Sequence, residues 1–211
     1  MKDKKLLSDI KEYLKCYEDQ VLEDWYELIR HISVSETGEG IETCCDWIQK
    51  KMEEIGIQVT KYSVKPAPVL VGRFGNDPEK KTVLIYAHYD VKPAGERKLW
   101  HSDPFVPTVR DGKVYARGSA DNKSPLMAHL KALEYFIRRK MEVPVNVIFV
   151  FEGDEECGSR GLEEFLAEHR TELAADLVFF SDGPKDPSGL PIIALGAKGD
   201  LSIHITVGND E

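Results

Sequence analysis

The chain has 211 residues, 42% of them hydrophobic and 31% charged, which is enough to bury one globular core and leaves little for a second domain. Its 37 acidic residues outnumber 28 basic ones, giving a formal net charge of −9 with the acids spread along the chain; a nucleic-acid-binding or anionic-membrane-binding footprint is excluded on that charge. The longest apolar stretches, such as 145–151, are strand-sized, and Met1-Lys2-Asp3-Lys4-Lys5 leads into an amphipathic segment instead of a signal-peptide core, which predicts a soluble, cytoplasmic protein.

From residue 4 to about residue 31, apolar side chains recur at helical spacing (Leu7, Ile10, Leu14, Tyr17, Val21, Trp25, Leu28), as one long amphipathic helix or two in tandem. A second helix is expected over 40–54, with Gly56 as its stop. The period then changes to two. Residues 57–64 alternate like a half-buried strand, 69–74 form another, and 82–87 read as a central, nearly continuous apolar strand. Asp111-Gly112 lies between two short extended runs and predicts a hairpin turn. Helical spacing returns over 123–139, followed by a second central strand at 145–151, a short helix at 160–169 and a third apolar strand at 176–180. Two further strands are expected at 192–195 and 201–207. The order strand, helix, strand, helix, strand predicts an α/β fold, a mixed and largely parallel sheet flanked by helices.

Each of these three apolar strands, expected to be buried, runs into acids or histidine at its C-terminal end, where open α/β sheets place their ligands. His88-Tyr89-Asp90 follows the first, Glu152-Gly153-Asp154-Glu155-Glu156 the second and Ser181-Asp182 the third. Asp121 lies in a glycine-containing turn that opens the long helix. Taken singly, Asp121 is more often an N-cap, His88 a hydrogen-bonded core histidine, Glu155-Glu156 a solvated pair and Asp182-Gly183 a turn. Converging together, these carboxylates would repel one another unless a cation neutralised them, and a multivalent metal pair is the economical explanation. Four cysteines, two of them adjacent at Cys44 and Cys45, make neither a disulfide framework nor a CxxC knuckle, so any metal is held by histidine and carboxylates. Cys157, beside acids that disfavour its thiolate, reads as a packing residue, as do Trp100, Cys44 and Cys45.

The runs Tyr86-Ala87-His88-Tyr89-Asp90-Val91-Lys92-Pro93, Tyr115-Ala116-Arg117-Gly118-Ser119-Ala120-Asp121-Asn122-Lys123 and Phe151-Glu152-Gly153-Asp154-Glu155-Glu156-Cys157-Gly158-Ser159, with Leu99-Trp100 and Asp103-Pro104-Phe105 between them, carry a family resemblance. In order and spacing the chain resembles the aminoacylase and carnosine dipeptidase family of di-metal peptidases, and most of all its cytosolic dipeptidase branch. The resemblance implies that His88 and Asp182 ligate one metal, Asp121 bridges two, and Glu156 binds the second. It implies that Asp90 holds the His88 imidazole and that Glu155 is the general base. It also implies a cis peptide at Asp121-Asn122. Two divalent ions, zinc first with manganese or cobalt as alternatives, would activate a bridging hydroxide for hydrolysis of a dipeptide or short peptide.

Members of that family are longer, with a lid domain inserted into the catalytic domain. By that pattern residues 1–198 are the catalytic portion and 199–211 the start of the lid; the second metal's last histidine and a homodimer surface would lie in the remainder. On that count the 211 residues alone are expected to be essentially inactive. Two rival readings are an N-acyl-amino-acid amidohydrolase (deacylase or desuccinylase) of the same fold and a non-catalytic metal-binding module.

Overall fold

The computed structural model describes residues 2–183 and, beyond them, residues 188, 190, 192, 193, 199, 201 and 203–208. The periodic N-terminal segment is one helix, α1 (Lys2–Arg30), followed by α2 (Ile41–Glu54), β1 (Gln58–Tyr62), β2 (Val69–Phe74) and β3 (Thr82–His88). A small hairpin, β4 (Thr108–Arg110) and β5 (Lys113–Tyr115), precedes α3 (Lys123–Arg138), β6 (Asn146–Glu152), α4 (Leu162–Glu168) and β7 (Leu177–Phe180). The hairpin turns on Asp111 and Gly112, both at positive φ, which is the backbone a two-residue type I′ loop requires.

Five strands form one sheet in the order β1-β2-β6-β3-β7. The β1–β2 and β2–β6 ladders are antiparallel, whereas β3 pairs in parallel with β6 on one side and β7 on the other. Alternation along β6 explains its central place. Val147, Phe149 and Phe151 face a core shared with Leu28 of α1, Ile48 and Met52 of α2 and Leu126, Leu130 and Leu133 of α3. Ile148 and Val150 face a second core with Val69, Val71, Leu84 and Phe165 of α4. The chain therefore leaves β3 through α3 on one face to reach β6, then returns through α4 on the other face to β7. That reversal puts a switch point, the usual crevice of an open α/β sheet, at the C-terminal end of β3.

Two expectations need correction. The third strand is not buried: Leu177, Val178, Phe179 and Phe180 are 46–62% exposed, because β7 is the sheet edge and the described elements cover only part of it. No strand is found at the described residues of 192–195 and 201–207; Ala194, Leu195 and Ser202, like the expected boundary at residue 198, lie outside the described residues.

Phe149 is wholly buried at the meeting point of α2, α3 and the sheet. Replacing it with alanine should cost about 3–5 kcal/mol, the range for deleting a core aromatic ring, measured as the shift in a urea unfolding curve.

Candidate metal centre

β3 ends on His88, in register with Glu152 of β6. Beyond the ladder the chain stays fixed, since Tyr89 N–H donates to the Glu152 carbonyl at 2.8 Å and Val91 N–H to the Ser33 carbonyl at 2.8 Å. Tyr89 packs where a side chain on Gly153 would stand: a Cβ there would lie 2.5 Å from the phenol ring. His88 and Asp90, two residues apart, are both fully buried.

The imidazole divides its two nitrogens between inside and outside. Nδ1 lies 3.1 Å from the Asp90 carbonyl oxygen and 3.3 Å from Asp90 Oδ1. Nε2 lies 3.1 Å from Asp121 Oδ1, 3.1 Å from Asp182 Oδ2 and 3.7 Å from Glu155 Oε2. Burial opposes a charge on His88, but the Asp90 hydrogen bond and the fields of Asp90, Glu155 and Asp182 outweigh it and push the pKa up to about 9. Asp90 is held low despite its own burial, through hydrogen bonds from His88, Ser35 and the Glu156 amide. Glu155 is raised, by burial first and then by Asp182, Glu156 and Asp90, with His88 pulling the other way.

One ligand atom each from His88, Asp121 and Asp182 can be chosen so that all lie within 4.8 Å of one another, a grouping that can hold a metal ion. The donor chemistry fits: one imidazole nitrogen, its tautomer fixed from behind by a carboxylate, faces two carboxylate oxygens, as in many divalent-ion sites.

The other two candidates sit on a short turn, 154–160. Asp154, almost fully buried, accepts Arg160 Nε at 3.0 Å and Nη2 at 2.6 Å, and its carbonyl accepts the Cys157 and Ser159 amides. Asp90 reaches the same turn, accepting the Glu155 amide at 3.2 Å and the Glu156 amide at 3.0 Å. Glu155 thus faces the His88 cluster. Glu156 does not join the three-residue group; its carboxylate lies 3.4 Å from Lys92 Nζ. Cys157 is half-buried and its thiol meets Ser35 Oγ at 3.5 Å, while Cys44 and Cys45 are core residues whose thiols burial pushes upward.

Asp121 arrives on a turn whose Gly118, at φ +78°, leaves no room for a side chain against Val91. The Asp121-Asn122 peptide is cis. The next residue, Lys123, is 1% exposed, and its ammonium donates to the Leu28 carbonyl at 3.1 Å and the His31 carbonyl at 2.6 Å, at the C-terminal end of α1. Burial lowers its pKa, while Asp90 and Cys44 act to raise it. Sequence reasoning quoted Lys123 without a role and overlooked Arg160, Ser35 and the Tyr86 and Ser159 hydroxyls that donate to buried Glu152. A signal existed for Lys123: it precedes Leu126, Met127 and Leu130 on the buried stripe of α3.

The sheet and this acid-lined crevice define an α/β scaffold that carries a candidate metal site at its switch point. The chain belongs to peptidase family M20/M25/M40, whose model matches residues 84–207. The Cys-Gly metallodipeptidase of Schizosaccharomyces pombe is 40% identical over 163 residues, 74% of this chain and 34% of that protein. Among solved structures, human carnosine dipeptidase 1 superposes with a TM-score of 0.80 at 30% identity, over 84% of this chain and 41% of that one. The M20 family metallo-carboxypeptidase Sso-CP2 from Sulfolobus solfataricus gives 0.76 at 36% identity, over 80% and 38%. The chain spans about a third of the length of the curated relatives it matches.

Replacing Lys123 with methionine removes the buried ammonium and leaves two helix-end carbonyls facing an apolar chain. The expected loss is about 2–4 kcal/mol, checked by chemical unfolding of the metal-free variant.

Proposed function

We propose that the protein hydrolyses dipeptides or short peptides with two divalent ions, zinc first among the candidates, bound in the crevice at the end of β3. The observation that carries this reading is the His88 imidazole, anchored by Asp90 and turned toward Asp121 and Asp182 at 3.1 Å each. Support comes from the Cys-Gly metallodipeptidases among the relatives. His88, Asp121 and Asp182 would hold the first ion, and Asp121 and Glu156 the second. When bound, the two ions supply an acidified water and a Lewis acid for the scissile carbonyl.

The chain's own residues do the rest. Asp90 keeps the His88 Nδ1 proton in place, so that Nε2 presents its lone pair outward. Glu155, its pKa raised toward the working range of a base, accepts the proton of the attacking water and returns it to the departing amine. The Asp154–Arg160 and Asp90 contacts hold the Glu155 backbone, so its carboxylate need not be positioned by the substrate. Residues 1–198 form the catalytic portion in this reading. The proposed setting is the cytoplasm, with small peptides as partners, a homodimer as the working assembly, and neither nucleic acid nor membrane as a target. Among the described residues no helix is long and apolar enough to cross a membrane.

Glu155→Gln should abolish dipeptide turnover while metal content, measured by elemental analysis, stays nearly unchanged; Asp121→Ala should lose metal as well. Full activity in the Glu155→Gln protein would remove the mechanism. A second expectation concerns pH. Because the ion-free His88 is protonated below about 9, a metal must displace that proton. Apparent zinc affinity should therefore rise with pH between 6 and 8, by up to about tenfold per unit for one proton released, and a chelator-competition titration that finds no pH dependence would contradict it.

A further inference from the structure

We propose that His129 is a positioning residue for the metal centre, setting the place of Asp182 through Ser181. The inference rests on the reading of Asp182 as a ligand. The ladder between β3 and β7 ends at the Tyr86–Phe180 pair, so Ser181 and Asp182 lie past the last strand pairing. β7 itself is four residues long and exposed along its whole length. A carboxylate hung from such a strand needs another hold if it is to stay 3.1 Å from His88 Nε2.

α3 provides it. His129 Nε2 is 2.8 Å from Ser181 Oγ, and its ring stands edge-on to Phe179, with centroids 5.4 Å apart and planes at 86°. The contact is local to this loop, since the His129 nitrogen meets a hydroxyl beside the carboxylate. α3 begins at Lys123, directly after Asp121-Asn122. One rigid helix therefore references the two carboxylates that lie 3.1 Å from His88 Nε2: Asp121 through the turn that opens it, and Asp182 through the histidine in its second turn. The hydrogen bond fixes the loop at one point and the aromatic contact fixes the strand end behind it.

Positioning partners one bond removed from a metal commonly change affinity by about ten- to a hundredfold, and His129 acts through one further residue, so the lower end applies. His129→Ala should weaken the tighter zinc-binding event about tenfold in a chelator-competition titration. His129→Gln, whose amide can still reach Ser181 Oγ, should restore affinity to within about threefold of the parent protein. Ser181→Ala should match His129→Ala, and the double variant should lose no more than either alone. A merely structural histidine would lower the melting temperature and leave zinc affinity where it was. That outcome, or additive losses in the double variant, overturns the proposal. Asp182→Ala separates the two levels: if it keeps the parent zinc affinity, the ligand assignment fails and His129 has nothing to position. If Asp182→Ala loses zinc while His129→Ala does not, only the role of His129 is overturned.

Discussion

Everything at the open end of this sheet is arranged around one imidazole that has no exposure to water and sits among four carboxylates. Burying such a group is costly unless each of its polar atoms is met and the surrounding negative charge is balanced. Asp90 solves the inner half of the problem, because it is equally buried yet accepts from the Glu155 and Glu156 amides and faces His88. Asp121, Glu155 and Asp182 occupy the outer half and keep part of their surface in solvent. A divalent cation on the outer side is the species that would complete the balance.

The sheet assigns this work unevenly. His88 and Glu155 follow from the parallel β3–β6 pair and Asp182 from the parallel β7, whereas the antiparallel β1 and β2 give no candidate ligand. Those two strands extend the core: Leu70 packs with the helices on one face, and Val69 and Val71 pack with Phe165 on the other. Ion pairs on the helical face, Lys51 and Lys131 on Asp24, tie α1 to α2 and α3 away from the crevice. There the two lysines outweigh burial and hold the Asp24 carboxyl below its ordinary value.

Period and punctuation made most of the fold legible. The helices and the β2, β3 and β6 strands fall within a residue or two of their expected bounds, because their apolar spacing is the same feature that packs them. The strand ends also pointed to His88 and Asp182 as candidates, and the turn that opens α3 to Asp121, since a switch point needs only element order; the structure brings these three together. β7 was misjudged for a physical reason: an apolar run looks the same whether it is central or at an edge, and burial depends on what lies beyond it. Glu156 turning to Lys92, and Lys123 reaching back across the fold to Leu28 and His31, are long-range contacts that no local pattern encodes.

The two-sided parallel pairing of β3 has a consequence for how faults in the fold would propagate. Side chains alternate along a strand, so a slip of one residue against β6 would put Ala87 or Tyr89 where His88 now stands and turn the imidazole to the opposite face. Slippage is opposed twice, by Phe149 and Val150 on one flank and by Phe179 and Phe180 on the other. It is opposed again by Tyr89, whose hydroxyl reaches the Pro68 carbonyl at 2.7 Å. The address of the imidazole is thus written largely in hydrocarbon. Sequence drift in β6 that loosened this registry would do more than soften a core: it would deliver the wrong side chain to the crevice.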